Sequence, residues 1–179
     1  NFIESKNWQF KIWSAGCSTG EEAYTMAMLL NEFKQLNAGF DYTIFASDVS
    51  NVVVMKAVRA IYSKNTIKGI DPSLQKKYLL ISKDQNEDEI RIAKTLRDKI
   101  QFSILNLVDN YSFQNNSLDA VFCRNTLIYF DDTAKREVVG KLIDKLKPKA
   151  YLFVGLSETV SQYSTRIKQV SPSVYQKID

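Results

Sequence analysis

The sequence contains no histidine among its 179 residues, and this absence excludes several kinds of catalytic site at once. Serine-hydrolase triads, Cys-His proteases and the usual zinc centres all depend on an imidazole. The two cysteines, Cys17 and Cys123, are too few for a disulfide framework or a metal cluster, and each lies in an apolar segment. We therefore expect structural thiols, no metal site and a chemistry that proceeds without an imidazole.

Long apolar runs and runs of one charge sign are also absent. No segment approaches the roughly 18 apolar residues that span a bilayer, and residues 1–10 include Glu4, Lys6 and Trp8 instead of an apolar signal core. The net charge of +4 comes from 24 basic and 20 acidic residues scattered along the chain. We expect one cytoplasmic domain with no direct membrane insertion and no nucleic-acid partner, whereas the oligomeric state stays open.

Alternating apolar strands and amphipathic helices predict a wound α/β sheet. The predicted strands cover residues 10–14, 42–47, 100–105, 118–123 and 150–155, followed by an antiparallel pair at 166–170 and 174–178. Predicted helices cover 21–36, the residues after 48, and 132–146, where Lys147-Pro148 acts as a stop. Their expected buried faces are Tyr24, Ala27, Met28, Leu30 and Phe33, then Val53, Ala57, Val58 and Ile61, then Val138, Val139, Leu142 and Ile143.

The pattern changes in the middle of the chain. Asp71-Pro72 starts a short helix, and residues 78–82 and 89–93 fit two strands around a polar turn at 83–88. We expect a small antiparallel β insertion in the main sheet, within a subdomain at about 75–99. The predicted fold is therefore α/β: a Rossmann-like, mostly parallel sheet with an antiparallel strand pair at its C-terminal end, an architecture that resembles the class I methyltransferase sheet.

A strand, a glycine turn, a helix, a second strand and an acid form a nucleotide-binding order of elements. Ala15 and Gly16 lie in the turn, and Asp48 ends the second strand. A dinucleotide dehydrogenase needs three spaced glycines and a helix N-terminus that is free for pyrophosphate. Here the helix opens with Glu21 and Glu22, which repel phosphate. A cationic, phosphate-free ligand such as S-adenosylmethionine suits this entrance better.

Structural roles compete with ligand binding at these acids. The segment from Thr19 to Glu22 fits a capping box, in which Thr19 accepts from the Glu22 backbone N–H and Glu22 reaches back to Thr19. Glu21 is then the better candidate for a cofactor contact. Asp48 could cap the following helix, but its place at the carboxyl end of a strand favours ribose binding.

Five stretches carry more specific motifs, in order and over essentially the whole chain. They are Ile12-Trp13-Ser14-Ala15-Gly16-Cys17-Ser18-Thr19-Gly20-Glu21-Glu22, Ala46-Ser47-Asp48, Asn106-Leu107, Phe122-Cys123-Arg124-Asn125-Thr126-Leu127-Ile128-Tyr129-Phe130-Asp131 and Leu152-Phe153-Val154-Gly155-Leu156-Ser157-Glu158. These stretches resemble the chemotaxis receptor methyltransferases of the CheR type. The resemblance implies S-adenosyl-L-methionine as cofactor, S-adenosyl-L-homocysteine as product, and transfer to glutamate carboxylates in the cytoplasmic domain of a methyl-accepting chemotaxis receptor.

The resemblance also implies a role for each motif residue. Ala15 and Gly16 form the glycine turn, Glu21 contacts the cofactor and Asp48 holds the ribose. Asn106 and Leu107 border the adenine. Arg124 and Asn125 line the site near the methyl donor, and Tyr129 lies beside the transferred methyl group. Arg124 and Tyr129 are the expected catalytic residues, because a cation can orient an anionic acceptor. Without the resemblance, Arg124 would be an ion-paired arginine, Asn125 a turn residue and Tyr129 part of the core.

Some features depart from the family pattern. Ala23 stands where the family usually has proline, and Leu156 stands where histidine is common. Relatives also carry an N-terminal helical domain with an arginine motif. Nothing before Phe10 supplies it, so we expect residues 1–179 to be the methyltransferase domain alone, weakly active or inactive by itself.

Two alternatives remain open from the sequence. One is a methyltransferase of the same fold that acts on another protein or a small molecule. The other is a non-catalytic domain that binds cofactor or a receptor tail. Whether the β insertion binds a receptor tail peptide is also undecided.

Overall fold

A computed structural model describes residues 8–82 and 88–178. The elements in chain order are β1 (Trp8–Ala15), α1 (Glu21–Leu36), β2 (Phe40–Asp48), α2 (Asn51–Arg59), β3 (Ile61–Ser63), α3 (Pro72–Tyr78), β4 (Leu79–Ile81), β5 (Glu89–Ile92), α4 (Lys94–Arg97), β6 (Ile100–Ile104), β7 (Leu118–Cys123), α5 (Asp132–Lys145), β8 (Leu146–Val154), β9 (Ile167–Ser171) and β10 (Val174–Lys177). Three 3₁₀ turns lie at Lys64–Ile67, Leu127–Tyr129 and Ser161–Tyr163. No helix in the described ranges is both long and apolar enough to cross a bilayer.

The main sheet has seven strands in the order β6-β2-β1-β7-β8-β10-β9. Strands β6, β2, β1, β7 and β8 are parallel to one another, and β10 runs antiparallel to both β8 and β9. This confirms the predicted α/β class with its antiparallel strand pair. The strand order reverses between β1 and β7, so their carboxyl ends form the crevice where open α/β sheets bind ligands.

Helices cover the two faces of this sheet, and each face has its own apolar cluster. The predicted buried face of α5 is confirmed, because Val138, Val139, Leu142 and Ile143 are fully buried. On α1 the predicted face is confirmed in its centre, where Tyr24, Ala27 and Met28 are buried, whereas Phe33 is 40% exposed. The cores fix the sheet and therefore fix the positions from which its carboxyl-end loops emerge.

The inserted strands form a small antiparallel sheet of their own beside the main sheet, which agrees with the predicted small β insertion. The predicted pairing of β4 with β5 is antiparallel as expected, but β5 also pairs with β3, which was not predicted, to give the order β3-β5-β4. The short helix starts at Asp71-Pro72 as predicted, and Asp71 caps it, since its side chain accepts from the Ser73 backbone N–H. Residues 83–87 of the predicted polar turn lie outside the described residues.

Two helix boundaries also differ from prediction. The α2 helix buries Val54 and Ala57 and ends at Arg59, because the C-cap residue Ala60, with φ 57°, turns the chain before Ile61. The predicted α2 face is therefore confirmed at Ala57 but wrong at Val58, which is 46% exposed, and at Ile61, which lies in β3. The α5 helix ends at Lys145, before Pro148, and Pro148 lies inside β8 close to a register irregularity. A strand tolerates proline at such an irregular position.

Candidate functional site

An open cavity of about 740 Å³ lies at the carboxyl ends of the central strands, where the strand order reverses. Its lining includes eight residues predicted from the sequence: Gly16, Glu21, Asp48, Asn106, Leu107, Arg124, Asn125 and Tyr129. A volume of this size is typical of small-molecule sites. Segments separated by about a hundred residues therefore meet in one place.

One predicted residue is not among those that line the cavity. Ala15 is 1% exposed and ends β1 beneath the turn, so its predicted cofactor role stays a prediction. Sequence reasoning gave no cofactor role to seven lining residues: Cys17, Ser18, Glu22, Val49, Leu105, Thr126 and Phe130. Several of these directly follow a predicted site residue in the chain, and this adjacency could have identified them.

The turn after β1 is held against the end of β2. The backbone N–H groups of Gly16 and Cys17 both donate to the Ser47 carbonyl oxygen, at 2.8 Å each. Gly16 has φ 87°, and a Cβ there would lie 2.9 Å from Thr126 Cγ2. Glycine is therefore required at this position if the loop after β7 is to approach the turn so closely.

The predicted capping box at the start of α1 is wrong. Gly20 occupies the N-cap position and no side chain caps the helix, so the helix starts one residue later than the box requires. The Thr19 hydroxyl donates to both carboxylate oxygens of Glu21, at 2.8 and 2.6 Å. Glu21 therefore lines the cavity with its carboxylate oriented by a neighbouring hydroxyl.

Glu22 instead joins the two halves of the crevice. Its Oε1 accepts from the Ser14 hydroxyl at 2.8 Å, and its Oε2 forms an ion pair with Arg124 Nη1 at 3.1 Å. The Arg124 side chain remains 46% exposed. Since a guanidinium carries five N–H donors, Arg124 keeps donors for a ligand carboxylate while Glu22 fixes one side of it.

Asp48 binds backbone groups on both sides. Its Oδ2 accepts from the Ser18 N–H at 2.9 Å, and its Oδ1 accepts from the Ser50 N–H at 3.1 Å. Ser50, not Asp48, is the N-cap residue of α2. Because each carboxylate oxygen has a second lone pair, Asp48 can still accept from two hydroxyl groups.

The loop after β7 carries the predicted acceptor-side residues. Asn125 has φ 55°, a left-handed conformation that asparagine adopts more readily than most residues. Tyr129 lies in a 3₁₀ turn at the mouth of the cavity and is 81% exposed. Its exposure excludes the core role that the sequence alone would favour.

The cavity is negatively charged overall. Its charged lining residues are the carboxylates of Glu21, Glu22 and Asp48 and the guanidinium of Arg124. Burial, together with the nearby Asp48 carboxylate, raises the pKa of the Cys17 thiol to about 12. Burial likewise raises the pKa of Cys123. Both thiols therefore stay protonated at neutral pH, in agreement with their predicted structural role.

Comparison with known proteins identifies the family. Residues 2–176 match a family model described as the SAM binding domain of CheR methyltransferase, where SAM is S-adenosyl-L-methionine. The chain belongs to the CheR methyltransferase family. Within this CheR domain, the described residues contain no cluster of three or more side chains suited to a metal ion.

Curated relatives agree with this assignment, and a solved structure shares the fold. The CheR domain is 35% identical to the chemotaxis protein methyltransferase of Borreliella burgdorferi, over 98% of this chain and 61% of the relative. It is 34% identical to that of Escherichia coli, over 93% of this chain and 58% of the relative. The chain thus spans about three-fifths of the length of these relatives. A SAM-dependent methyltransferase structure from Methanosarcina mazei has the same fold, with 17% identity, a TM-score of 0.50, and coverage of 92% of this chain and 60% of that chain.

The cavity of the CheR domain suits S-adenosyl-L-methionine. Asp48 presents oriented carboxylate oxygens for hydroxyl groups, and the apolar side chains of Val49, Leu105 and Leu107 line the same cavity. The excess of carboxylates favours a ligand that carries a sulfonium charge. Hydroxyl acceptors, an apolar surface and negative charge together match the three chemical parts of this cofactor.

Proposed function

We propose that the protein transfers a methyl group from S-adenosyl-L-methionine to glutamate side-chain carboxylates of chemotaxis receptors. The observation that carries the proposal is the Glu22–Arg124 ion pair at the crevice. It adds one oriented guanidinium, on the β7 side, to a cavity whose other charged lining residues are all carboxylates. The relatives named chemotaxis protein methyltransferases support the same reaction.

Each side of the crevice has its own task in this proposal. Glu21 and Asp48 hold the cofactor's amino and ribose groups, while Asn106 and Leu107 border its adenine. On the other side, Arg124 receives the acceptor carboxylate, and Asn125 and Tyr129 shape the space between donor and acceptor. The net negative charge of the cavity favours the cationic cofactor, and Arg124 favours an anionic acceptor.

The proposed reaction needs positioning more than proton transfer. When bound, S-adenosyl-L-methionine supplies an electrophilic methyl group on a sulfonium. A glutamate acceptor has an ordinary pKa near 4.3 and is already ionised at pH 7, so no general base is needed. This agrees with a chain that contains no histidine. Arg124, held on one side by Glu22, aligns the acceptor, and Tyr129 at the mouth helps to exclude water.

The test uses the full-length protein, a receptor cytoplasmic fragment and a radiolabelled methyl donor. We expect label on the receptor that mild alkali releases as methanol, because a glutamyl methyl ester is alkali-labile. Receptor fragments with glutamine in place of the acceptor glutamates are the matched control and should stay unlabelled. Alkali-stable label would instead indicate transfer to nitrogen. Tight binding of S-adenosyl-L-homocysteine without any transfer would favour a non-catalytic domain.

A further inference from the structure

Glu158 lies in the loop after β8 and is 9% exposed, which is unusual for a carboxylate. Its Oε2 accepts from the backbone N–H groups of Asn125, at 2.9 Å, and Gly155, at 2.6 Å. Its Oε1 accepts from the backbone N–H of Ile128 at 3.3 Å. A single buried side chain therefore binds the loops that follow two adjacent strands.

These contacts involve the loop that carries the acceptor side of the site. Asn125 is held in its left-handed conformation by the bond to Glu158, and Ile128 precedes the exposed Tyr129. Glu158 itself is not among the residues that line the cofactor cavity. It lines a smaller cavity of about 150 Å³ beside the 3₁₀ turn at Leu127–Tyr129. Its effect on the site must therefore pass through the backbone.

Gly155 shows how closely the two loops approach each other. A Cβ at this position would lie 2.7 Å from Glu158 Oε2 and would also collide with Asn125 Oδ1. The φ of Gly155 is outside the left-handed region, so space and not backbone conformation requires glycine. A substitution there would push Asn125 away from Glu158 without removing the carboxylate.

We propose that Glu158 is a positioning residue for methyl transfer: its carboxylate sets the path of residues 124–129 and thereby places Arg124 and Tyr129 opposite the methyl donor. The proposal rests on the proposed function. Carboxylate-to-N–H bonds are stronger and shorter than bonds between neutral groups, and three of them fix one loop geometry. Because a displacement of about 1 Å can lower a rate about a hundredfold, the loop path affects turnover more than folding.

The first variant is Glu158→Gln in the full-length protein. One carboxylate oxygen becomes an NH₂ group, which cannot accept, so at least one of the three backbone N–H groups loses its partner. We expect kcat for receptor methylation to fall roughly tenfold or more. The affinity for S-adenosyl-L-homocysteine should change by less than about threefold, since Glu21 and Asp48 are unaltered. Glu137→Gln, the same change on the exposed face of α5, is the matched control.

A second readout does not depend on activity. Amide hydrogen exchange should accelerate at one or more of Asn125, Ile128 and Gly155 in Glu158→Gln, while the amide of Leu152 in the core of β8 stays protected. A purely structural role would instead loosen the sheet generally and lower kcat only in proportion to the unfolded fraction. If Glu158→Gln does not fold, Gly155→Ala tests the same contact from the opposite side and should also lower kcat.

Three results would overturn the role of Glu158. The first is a Glu158→Gln variant that is as active as an active wild type. The second is unchanged hydrogen exchange at all three amides. The third applies if only Gly155→Ala folds, and it is an unchanged kcat in that variant. A wild-type protein that binds cofactor but transfers no methyl group would refute the proposed function, and this role with it. Wild-type activity therefore separates the two failures.

Discussion

Two aspartates on strand β2 differ in the groups that they bind. Asp41, near the amino end, forms ion pairs with Lys34 at 2.9 Å and Lys99 at 2.7 Å. Asp48, at the carboxyl end, accepts from two backbone N–H groups, and no ion pair of the described residues includes it. One end of the strand thus has its charge neutralised within the fold, whereas the other keeps its charge available to a ligand.

This difference separates carboxylates that serve folding from those that serve binding. Partial burial acts to raise the pKa of Asp41, but the bonds from Lys99 and Lys34 outweigh it and bring the pKa to about 2. At the carboxyl end, Glu21 and Asp48 are oriented by hydroxyl and backbone donors. Glu22 is intermediate, because its partner Arg124 is itself a predicted site residue. Substitutions at the two ends should therefore have different consequences.

The largest expected effect is that of Arg124→Ala on turnover. The change removes the guanidinium that we assign to the acceptor and leaves Glu22 without its cationic partner. We expect receptor methylation to fall on the order of a hundredfold. Arg59→Ala, at an exposed position of α2, is the control and should leave the rate unchanged. Normal turnover of Arg124→Ala in a radiolabelled methyl-transfer assay would show that the ion pair belongs only to the fold.

The next effect is that of Asp48→Asn on cofactor affinity. An amide cannot accept with both atoms, so the charge-assisted bonds to ribose hydroxyls weaken by roughly 1.5 to 3 kcal/mol, or about tenfold to a hundredfold in Kd. Calorimetric titration with S-adenosyl-L-homocysteine measures this change. Asp98→Asn, which breaks only an exposed ion pair with Lys94, should have no effect. If Asp48→Asn lowered stability but not cofactor affinity, Asp48 would serve folding, as Asp41 does.

Asp41→Asn should affect stability and its pH dependence. A carboxylate with a lowered pKa stabilises the fold above its ordinary titration range and loses that contribution as pH falls toward about 2. Allowing for solvent screening, we expect a cost of about 1 kcal/mol at pH 7. Urea unfolding of the wild type and the variant should give curves that converge between about pH 5 and pH 2. A stability difference that persists at pH 2, or weaker cofactor binding, would contradict this assignment.

The smallest effect concerns the start of α1. Because Thr19 does not cap this helix, Thr19→Ala should lower the free energy of unfolding by less than about 0.5 kcal/mol. The contrast is Asp131→Ala, which removes the side chain that accepts from the Ala134 N–H at the start of α5 and should cost about 1 kcal/mol. If thermal unfolding showed equal losses of stability in the two variants, Thr19 would be a helix cap, as the capping box predicted.

The strands and the main helix faces could be predicted because they depend on local periodicity. The α5 face and the strand pair at 167–177 follow from apolar spacing and a Ser-Pro-Ser turn. Strand β3 has three residues and helix α4 has four, so neither carries enough periodicity for detection. The third strand of the small antiparallel sheet was missed for this reason.

The site was easiest to predict where a residue lies at or just after the carboxyl end of a strand. Asp48 ends β2 and Asn106 comes shortly after β6, and both line the cavity. The role of Glu22 depends on Arg124, which lies 102 residues later in the chain. A local pattern could not show this partner, and the sequence Thr-Gly-Glu-Glu fits a capping box equally well. The contacts of Glu158 with Asn125 and Gly155 likewise appear only when adjacent strands bring their loops together.

The position of β10 determines the order in which the main sheet can be assembled. Among the described strands β9 pairs only with β10, although β9 comes first in the chain and β10 lies between it and β8. Lys177 on β10 donates to the carbonyl oxygens of Ile143 and Leu146 at the end of α5. During synthesis β9 therefore cannot join the main sheet until β10 has emerged from the ribosome. The last two strands then dock as one hairpin, and they leave together when this edge of the sheet opens.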